Sequence, residues 1–214
     1  NELNNISHVD QIILKNSRDH KPVGLLKIQK LEKIKSFKNM IKKWFDTNDQ
    51  KHPGVKEIKN RGEYLLSGKT FLFSNYRQKT KIQNEFSPKQ TREIFYHNGW
   101  YNIVGFHTRN IPHTGHEYIQ KRALEVSNAE AILLSPVTGI KKTGDFQTNV
   151  IFDCYQNLIN NGIYKPKGVL LSAFNTYSRY AGPREAVFTA ICRKNFGCNY
   201  FIVGRDHTGV GQYY

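Results

Sequence analysis

From Asn102 onward the chain alternates between short apolar runs and longer amphipathic ones, and this alternation limits the fold more than any other feature. Asn102–Phe106, Ala131–Leu134, Gly168–Leu171 and Tyr200–Val203 are short runs of the kind that form buried strands. Between them, His116–Ser127, Asn149–Asn160 and Pro183–Asn195 carry helical spacing. Ser87-Pro88 supplies an N-cap and a first-turn proline for one more helix, which should reach about His97 and stop at Asn98-Gly99. Strand and helix in strict alternation call for an α/β domain with a parallel sheet covered by helices on both faces. Ligands of such sheets sit beyond the carboxyl ends of the strands. The loops after Phe106, Leu134, Leu171 and Val203 therefore become the candidate site.

The first part of the chain reads differently. Gln11–Leu14 and Val23–Ile28, joined by the polar Asn16–Asp19, suggest a hairpin. Leu31, Ile34, Phe37, Ile41 and Trp44 fall on one helical stripe, with most lysines of that stretch off it, so a solvated basic face is expected. His52-Pro53-Gly54 reads as a breaker after this helix, Tyr64–Phe73 as a second hairpin around Ser67-Gly68, and the polar Asn75–Asn84 as a linker. We expect a β-rich domain over residues 1–86 and the α/β domain over residues 87–214.

Composition excludes several classes. No apolar run reaches the roughly 18 residues of a membrane span, and the polar Asn1–Asp10 is not a secretory signal. Cys154, Cys192 and Cys198 are too few and scattered for a disulfide framework or a metal site, so a reducing cytoplasm is expected. The net charge of +15 attracts anions without saying which. Nucleic acid is not expected as a partner, since lysine enrichment of this kind also follows from codon bias.

The chemistry concentrates in two strand-end turns. His107-Thr108-Arg109-Asn110-Ile111-Pro112-His113-Thr114-Gly115-His116 leads straight into a helix, whose free N–H groups suit a phosphate. Arg109 adds a guanidinium fork for an oxyanion, and His113 and His116, three apart, face the same way on a helical turn. The zinc-protease pattern needs histidines four apart, so no protein-bound metal is expected. After the last strand, Gly204-Arg205-Asp206-His207 stands at the same sheet end, where glycine lets backbone approach a ligand closely.

Taken in order, Thr108-Arg109-Asn110-x-x-His113-x-x-His116, Arg179-Tyr180-Ala181-Gly182-Pro183-Arg184-Glu185-Ala186 and Gly204-Arg205-Asp206-His207 resemble the ATP sulfurylase (sulfate adenylyltransferase) family. Asp49–Val55, Arg193–Cys198 and Gly209–Tyr214 are similar to it too, so the likeness covers nearly the whole chain. The resemblance implies a partial PUA-like domain followed by a Rossmann-like nucleotidyltransferase domain. It implies ATP and sulfate as substrates, adenylyl sulfate and pyrophosphate as products, magnesium on the nucleotide, and a possible homo-oligomer. On this likeness Thr108, Arg109, Asn110, His113, His116 and Arg205 are catalytic. His107, Thr108, Arg109, Asn110, Gly204, Arg205, Asp206 and His207 bind ATP, and His107, Arg109 and Thr208 bind the oxyanion.

Departures fall on the acceptor pocket. The family usually has Gln where His107 stands and Ala where Thr208 stands. An imidazole that lends positive charge and a threonine that adds a hydroxyl leave open a more highly charged acceptor, such as a phosphonate. Ile111 replaces the family's frequent Pro and Ser178 its frequent Met, both as loop packing. Both ends look short of the family's, which leaves room for a non-catalytic nucleotide- or RNA-binding relative.

Overall fold

The computed structural model describes residues 9–17, 19–74, 84–139, 144–205 and 207–214. The chain divides into two compact units, Asn1–Lys81 and Ile82–Tyr214. The expected linker lies, apart from Asn84, almost wholly outside the described residues, as does the start of the chain.

In the first unit, β1 (Gln11–Lys15) pairs antiparallel with β2 (Pro22–Lys33), which pairs antiparallel with β3 (Tyr64–Leu72). The hairpin expected at Asn16–Asp19 forms, closed by Asn16 N–H donating to Lys21 O at 2.9 Å. Three expectations change. The helix does not begin at Leu31, because Leu31, Glu32 and Lys33 pair with Leu66, Leu65 and Tyr64; a long ladder outweighs a three-four spacing. Helix α1 instead spans Phe37–Phe45, with the Ser36 hydroxyl accepting from Asn39 N, and it buries Ile41 and Phe45 while Trp44 stays 45% exposed. His52-Pro53-Gly54 is a helix start, not a breaker. His52 Nδ1 accepts from Gly54 N (3.1 Å) and Val55 N (3.3 Å), and Pro53 opens α2 (Pro53–Lys59), where its missing N–H costs nothing.

The third correction is at Ser67-Gly68, where β3 runs straight through. Gly68 sits opposite the register shift of β2 between Ile28 and Lys30. A Cβ at Gly68 would lie 1.9 Å from Lys27 O, so glycine is there for close backbone approach, not for a turn. Gly68→Ala is expected to destabilise this unit by about 2–3 kcal/mol, the range of local strain and overpacking, measured as a lower urea midpoint.

The second unit carries the parallel sheet. Its strands are β4 (Ile103–Thr108), β5 (Ala131–Pro136), β6 (Gly168–Leu171) and β7 (Tyr200–Phe201), in the order β6-β5-β4-β7. Between them run α4 (Thr114–Val126), α5 (Thr148–Asn160) and α6 (Pro183–Asn195), and α3 (Pro88–His97) precedes the sheet behind a Ser87/Gln90 capping box. Ala131–Leu134 are fully buried, as a continuous apolar run in a two-sided parallel sheet requires. Alternation sorts the side chains. Val104, Phe106, Ile132 and Leu134 pack with Leu124, Ile151 and Tyr155 on one face, while Ile103 and Leu133 meet Phe95 and Cys198 on the other. The α/β expectation holds with shifted ends: β4 continues to Thr108 because His107 and Thr108 pair with Ser135 and Pro136, and β7 stops at Phe201. Among the described residues no helix is long and apolar enough to cross a membrane.

Candidate active site

The strand order decides where a ligand can go. From β4 the chain winds to β5 and β6 on one side, then returns to place β7 on the other side of β4. Gly105 pairs with Phe201, and Ile202 N–H donates to Gly105 O at 3.0 Å. The winding reverses between β4 and β7, so a crevice opens at their carboxyl ends. The turn carrying Arg109 and the turn carrying Arg205 therefore leave neighbouring strands at the same sheet edge.

On the β4 side, Thr108 is buried and its Oγ1 accepts the N–H of Asn110 at 3.1 Å, which shapes the turn. Asn110 is exposed. The Arg109 guanidinium lies 5.7 Å from the Tyr180 ring, and its buried Nη1 has no hydrogen-bond partner among the described residues. His113 is the N-cap of α4, its Nδ1 accepting from Gly115 N at 3.1 Å. Its ring stacks on His116 with centroids 3.9 Å apart and planes at 26°, and His116 in turn meets the Phe106 edge at 5.4 Å. Burial, and then the neighbouring His113, lower the His116 pKa, so this imidazole is neutral at pH 7.

On the β7 side, Gly204 and Arg205 are exposed, and Asp206 lies outside the described residues. His207 and Thr208 are half-buried, Thr208 at a left-handed φ of 51° that β-branched residues avoid. The His207 ring stands 5.6 Å from His107 and 5.7 Å from Phe201, and its buried Nε2 has no partner among the described residues.

His107 joins the two sides. Strand alternation puts it on the face of Ile103 and Gly105, above α6. Gly105 leaves space for Arg193, whose Cβ and Cγ would lie 3.1 Å from any Cβ there. Arg193 is fully buried, lies 4.0 Å from the Phe174 ring, and sets its Nη2 3.1 Å from His107 Nδ1. Burial first, then Arg193, His207, Arg109 and Arg179, hold the His107 pKa well below 6.5. The expectation that His107 lends a positive charge is thereby overturned: this imidazole is neutral.

Sequence reasoning placed Arg179, Glu185 and Arg193 in family-like segments but gave them no role in bracing the site. Arg193 follows Thr189 by one helical step on the buried stripe of α6, and a charged residue on such a stripe was the available signal. Glu185, 3% exposed, accepts from Arg179 N at 2.9 Å and from Ala181 N at 3.2 Å, and burial raises its pKa. Arg179 lies 4.4 Å from both the Tyr177 and Phe188 rings. Tyr214 OH donates to Tyr180 O at 2.8 Å, which holds the ring that faces Arg109.

The histidines make stability depend on pH. His107, His116 and His207 all have pKa values below the ordinary 6.5. The unfolded chain then binds more protons than the folded one below that value, so their contribution is present above pH 6.5 and lost as pH falls. The urea midpoint of this unit is expected to drop between about pH 7.5 and pH 5, with His107→Gln flattening the slope.

A family profile described as ATP-sulfurylase matches residues 83–214, and one described as a PUA-like domain matches residues 1–75. The chain is 43% identical over 195 residues to the sulfate adenylyltransferase of Ignicoccus hospitalis, covering 91% of this chain and 50% of that one. It is 45% identical over 178 residues to that of Pyrococcus abyssi, covering 80% and 44%. It is 46% identical over 173 residues to that of Aeropyrum pernix, covering 80% and 44%. The chain thus spans about half the length of these curated relatives. Among solved structures, a hexameric APS kinase from Thiobacillus denitrificans shares the fold with a TM-score of 0.57 at 19% identity, covering 92% of this chain and 34% of that one.

Proposed function

The chain belongs to the ATP-sulfurylase family, and from that premise we propose that it transfers the adenylyl group of ATP to sulfate, releasing pyrophosphate. The observation that carries the reading is the adjacency of β4 and β7, which brings the Arg109 turn and the Arg205 turn to one crevice. Residues 87–214 carry the chemistry in this reading.

A sulfate oxygen attacks the α-phosphorus, a new P–O bond forms, and the bond from the α-phosphorus to the α,β-bridging oxygen breaks. Its electron pair leaves with pyrophosphate. Sulfate carries no proton to remove, so the protein needs no general base; alignment and charge neutralisation remain, as in other phosphoryl transfers. Arg109, whose Nη1 has no partner among the described residues, is placed to hold the anion in line with the α-phosphorus. His113 and His116, at the start of α4, donate N–H to the departing pyrophosphate, where the helix end adds its partial charge. Thr108 and Asn110 fix that turn. Gly204, Arg205, Asp206 and His207 hold the nucleotide from the β7 side, with Arg205 at the α-phosphate. His107 and Thr208 line the acceptor position.

Among the described residues no cluster of three or more His, Cys, Asp or Glu is placed to hold a metal ion. Arginines and imidazoles suit magnesium poorly, which prefers oxygen ligands. The described donor set does not fit a protein-bound Mg²⁺, and in this reading magnesium rides on the phosphates. ATP and the oxyanion are the partners, and a cytoplasmic homo-oligomer completes the proposal.

Pyrophosphate release from ATP is to be measured with sulfate, molybdate, phosphate and small phosphonates. Release with sulfate and molybdate is the expected result. Release with phosphonates alone would overturn sulfate as the acceptor, and salt-sensitive RNA binding without any release would place the chain among non-catalytic binders.

A further inference from the structure

His107 and Arg193 together make a device that neither residue makes alone. A guanidinium has N–H donors and no acceptor. With Arg193 Nη2 3.1 Å from His107 Nδ1, that nitrogen must be the acceptor, and the imidazole proton sits on Nε2. Arg193 is held where it is by its own surroundings. It is fully buried, it lies against Phe174 at 4.0 Å and Phe196 at 5.6 Å, and it passes the strand where Gly105 has no side chain. Burial lowers its pKa only to about 10, so it stays charged at neutral pH. Its Nε and Nη1 are buried without partners among the described residues, as is Arg109 Nη1. The charged groups that act on His107, namely Arg193, Arg109 and Arg179, together with His207, include no carboxylate among the described residues.

We propose that Arg193 is a positioning residue that fixes His107 as its Nε2–H tautomer, so that His107, beside Arg109, presents the acceptor anion with an N–H donor and no hydrogen-bond acceptor and favours a proton-free tetrahedral oxyanion. The proposal rests on the reading that His107 faces the acceptor of adenylyl transfer. Sulfate accepts at every oxygen. Phosphate and phosphonates at neutral pH keep an O–H for much or all of their population, and a hydroxyl turned toward His107 or Arg109 would meet a donor with nothing to accept its proton. A buried polar group left unpaired discriminates far more strongly than a missing contact. A His107 free to flip its proton to Nδ1 would offer Nε2 as an acceptor and weaken the discrimination. On this account the imidazole in place of the family's glutamine reproduces one face of an amide, its donor, and Arg193 removes the other.

The decisive observation is the ¹⁵N spectrum of the imidazoles in the 214-residue chain, with His107 assigned by its loss in His107→Gln. A bare Nδ1 and a protonated Nε2 for His107 at neutral pH are expected, and the Nε2 signal should shift on adding sulfate and not on adding equimolar phosphate. An Nδ1–H tautomer, an imidazolium, or equal responses to the two anions would overturn the proposal. This readout needs no turnover, so its failure is separate from a failure of adenylyl transfer itself. In steady state, Arg193→Met is expected to raise the KM for sulfate about tenfold or more while the KM for ATP stays within about twofold, with Arg193→Lys partly restoring it. Sulfate and ATP constants rising together in a folded variant would contradict the assignment. Should Arg193→Met fail to fold, the wild-type spectrum decides alone.

Discussion

Arg109→Ala is expected to lower turnover by about a hundredfold to a thousandfold, with the urea midpoint close to that of the parent chain. The guanidinium has a buried Nη1 without a partner among the described residues and rests 5.7 Å from the Tyr180 ring. Such a group is oriented before any ligand arrives. Removing one preorganised donor from a site of developing charge costs about 3 kcal/mol, hence the size of the loss. Stability should change little, because no protein hydrogen bond to Nη1 is given up and an unsatisfied buried donor is removed. His113→Ala should also lose turnover by the removal of a donor, but with some cost in stability because its Nδ1 caps Gly115. Near-normal kcat in a folded, active Arg109→Ala would show that this residue does not align the acceptor.

The second large effect concerns folding. Glu185→Ala is expected to cost the α/β unit about 3 kcal/mol. The carboxylate accepts from Arg179 N at 2.9 Å and 3.1 Å through its two oxygens and from Ala181 N at 3.2 Å. Without it these backbone donors have nothing to bind, at about 1–3 kcal/mol each when buried. The turn they hold also carries Tyr180, at a left-handed φ of 57°, and Gly182, against the Tyr214 ring. Glu185→Gln, which keeps one acceptor oxygen, should lose less. Burial raises the Glu185 pKa in the folded state, so the native chain binds this proton more tightly than the unfolded chain does. Its contribution is full below the ordinary 4.5 and declines as pH rises through the folded value. In urea titrations from pH 4 to pH 8, the stability difference between the parent and Glu185→Gln should therefore grow as pH falls, and the variant should lose stability toward acid more steeply than the parent.

The second unit was largely legible because buried parallel strands have a simple signature. Ala131–Leu134 is apolar at every position and its four residues are all fully buried. Ser87-Pro88 and Pro183 marked helix starts that the structure retains. The first unit was harder to read, since its strands are half-exposed and their pairing lies far along the chain. Leu31 has helical spacing to Ile34, yet its partner Leu66 lies 35 positions away, and only that pairing assigns it to a strand. Gly68 could not be told from a turn glycine without knowing that Lys27 backbone would lie beside it.

Within the site, Arg109 and Arg205 were named from the turns that follow β4 and β7. The bracing groups were less visible. Arg193 looks like one basic residue among many in a chain of net charge +15, and its burial depends on Gly105 in another element. Burial first, and then the contact with Arg193, leave the His107 imidazole neutral where a positive charge was expected. A side chain's titration state is set by neighbours that the local sequence does not name.

The claim on which the account turns is that one triphosphate lies between the β4 and β7 turns. A crystal structure of the chain with α,β-methylene ATP tests it directly. The account predicts the phosphate chain in the crevice, with its α-phosphate near Arg205 and its terminal phosphates at the His113–His116 end of α4. A nucleotide bound anywhere else on the α/β unit, or a metal ion held between His113 and His116, would contradict it.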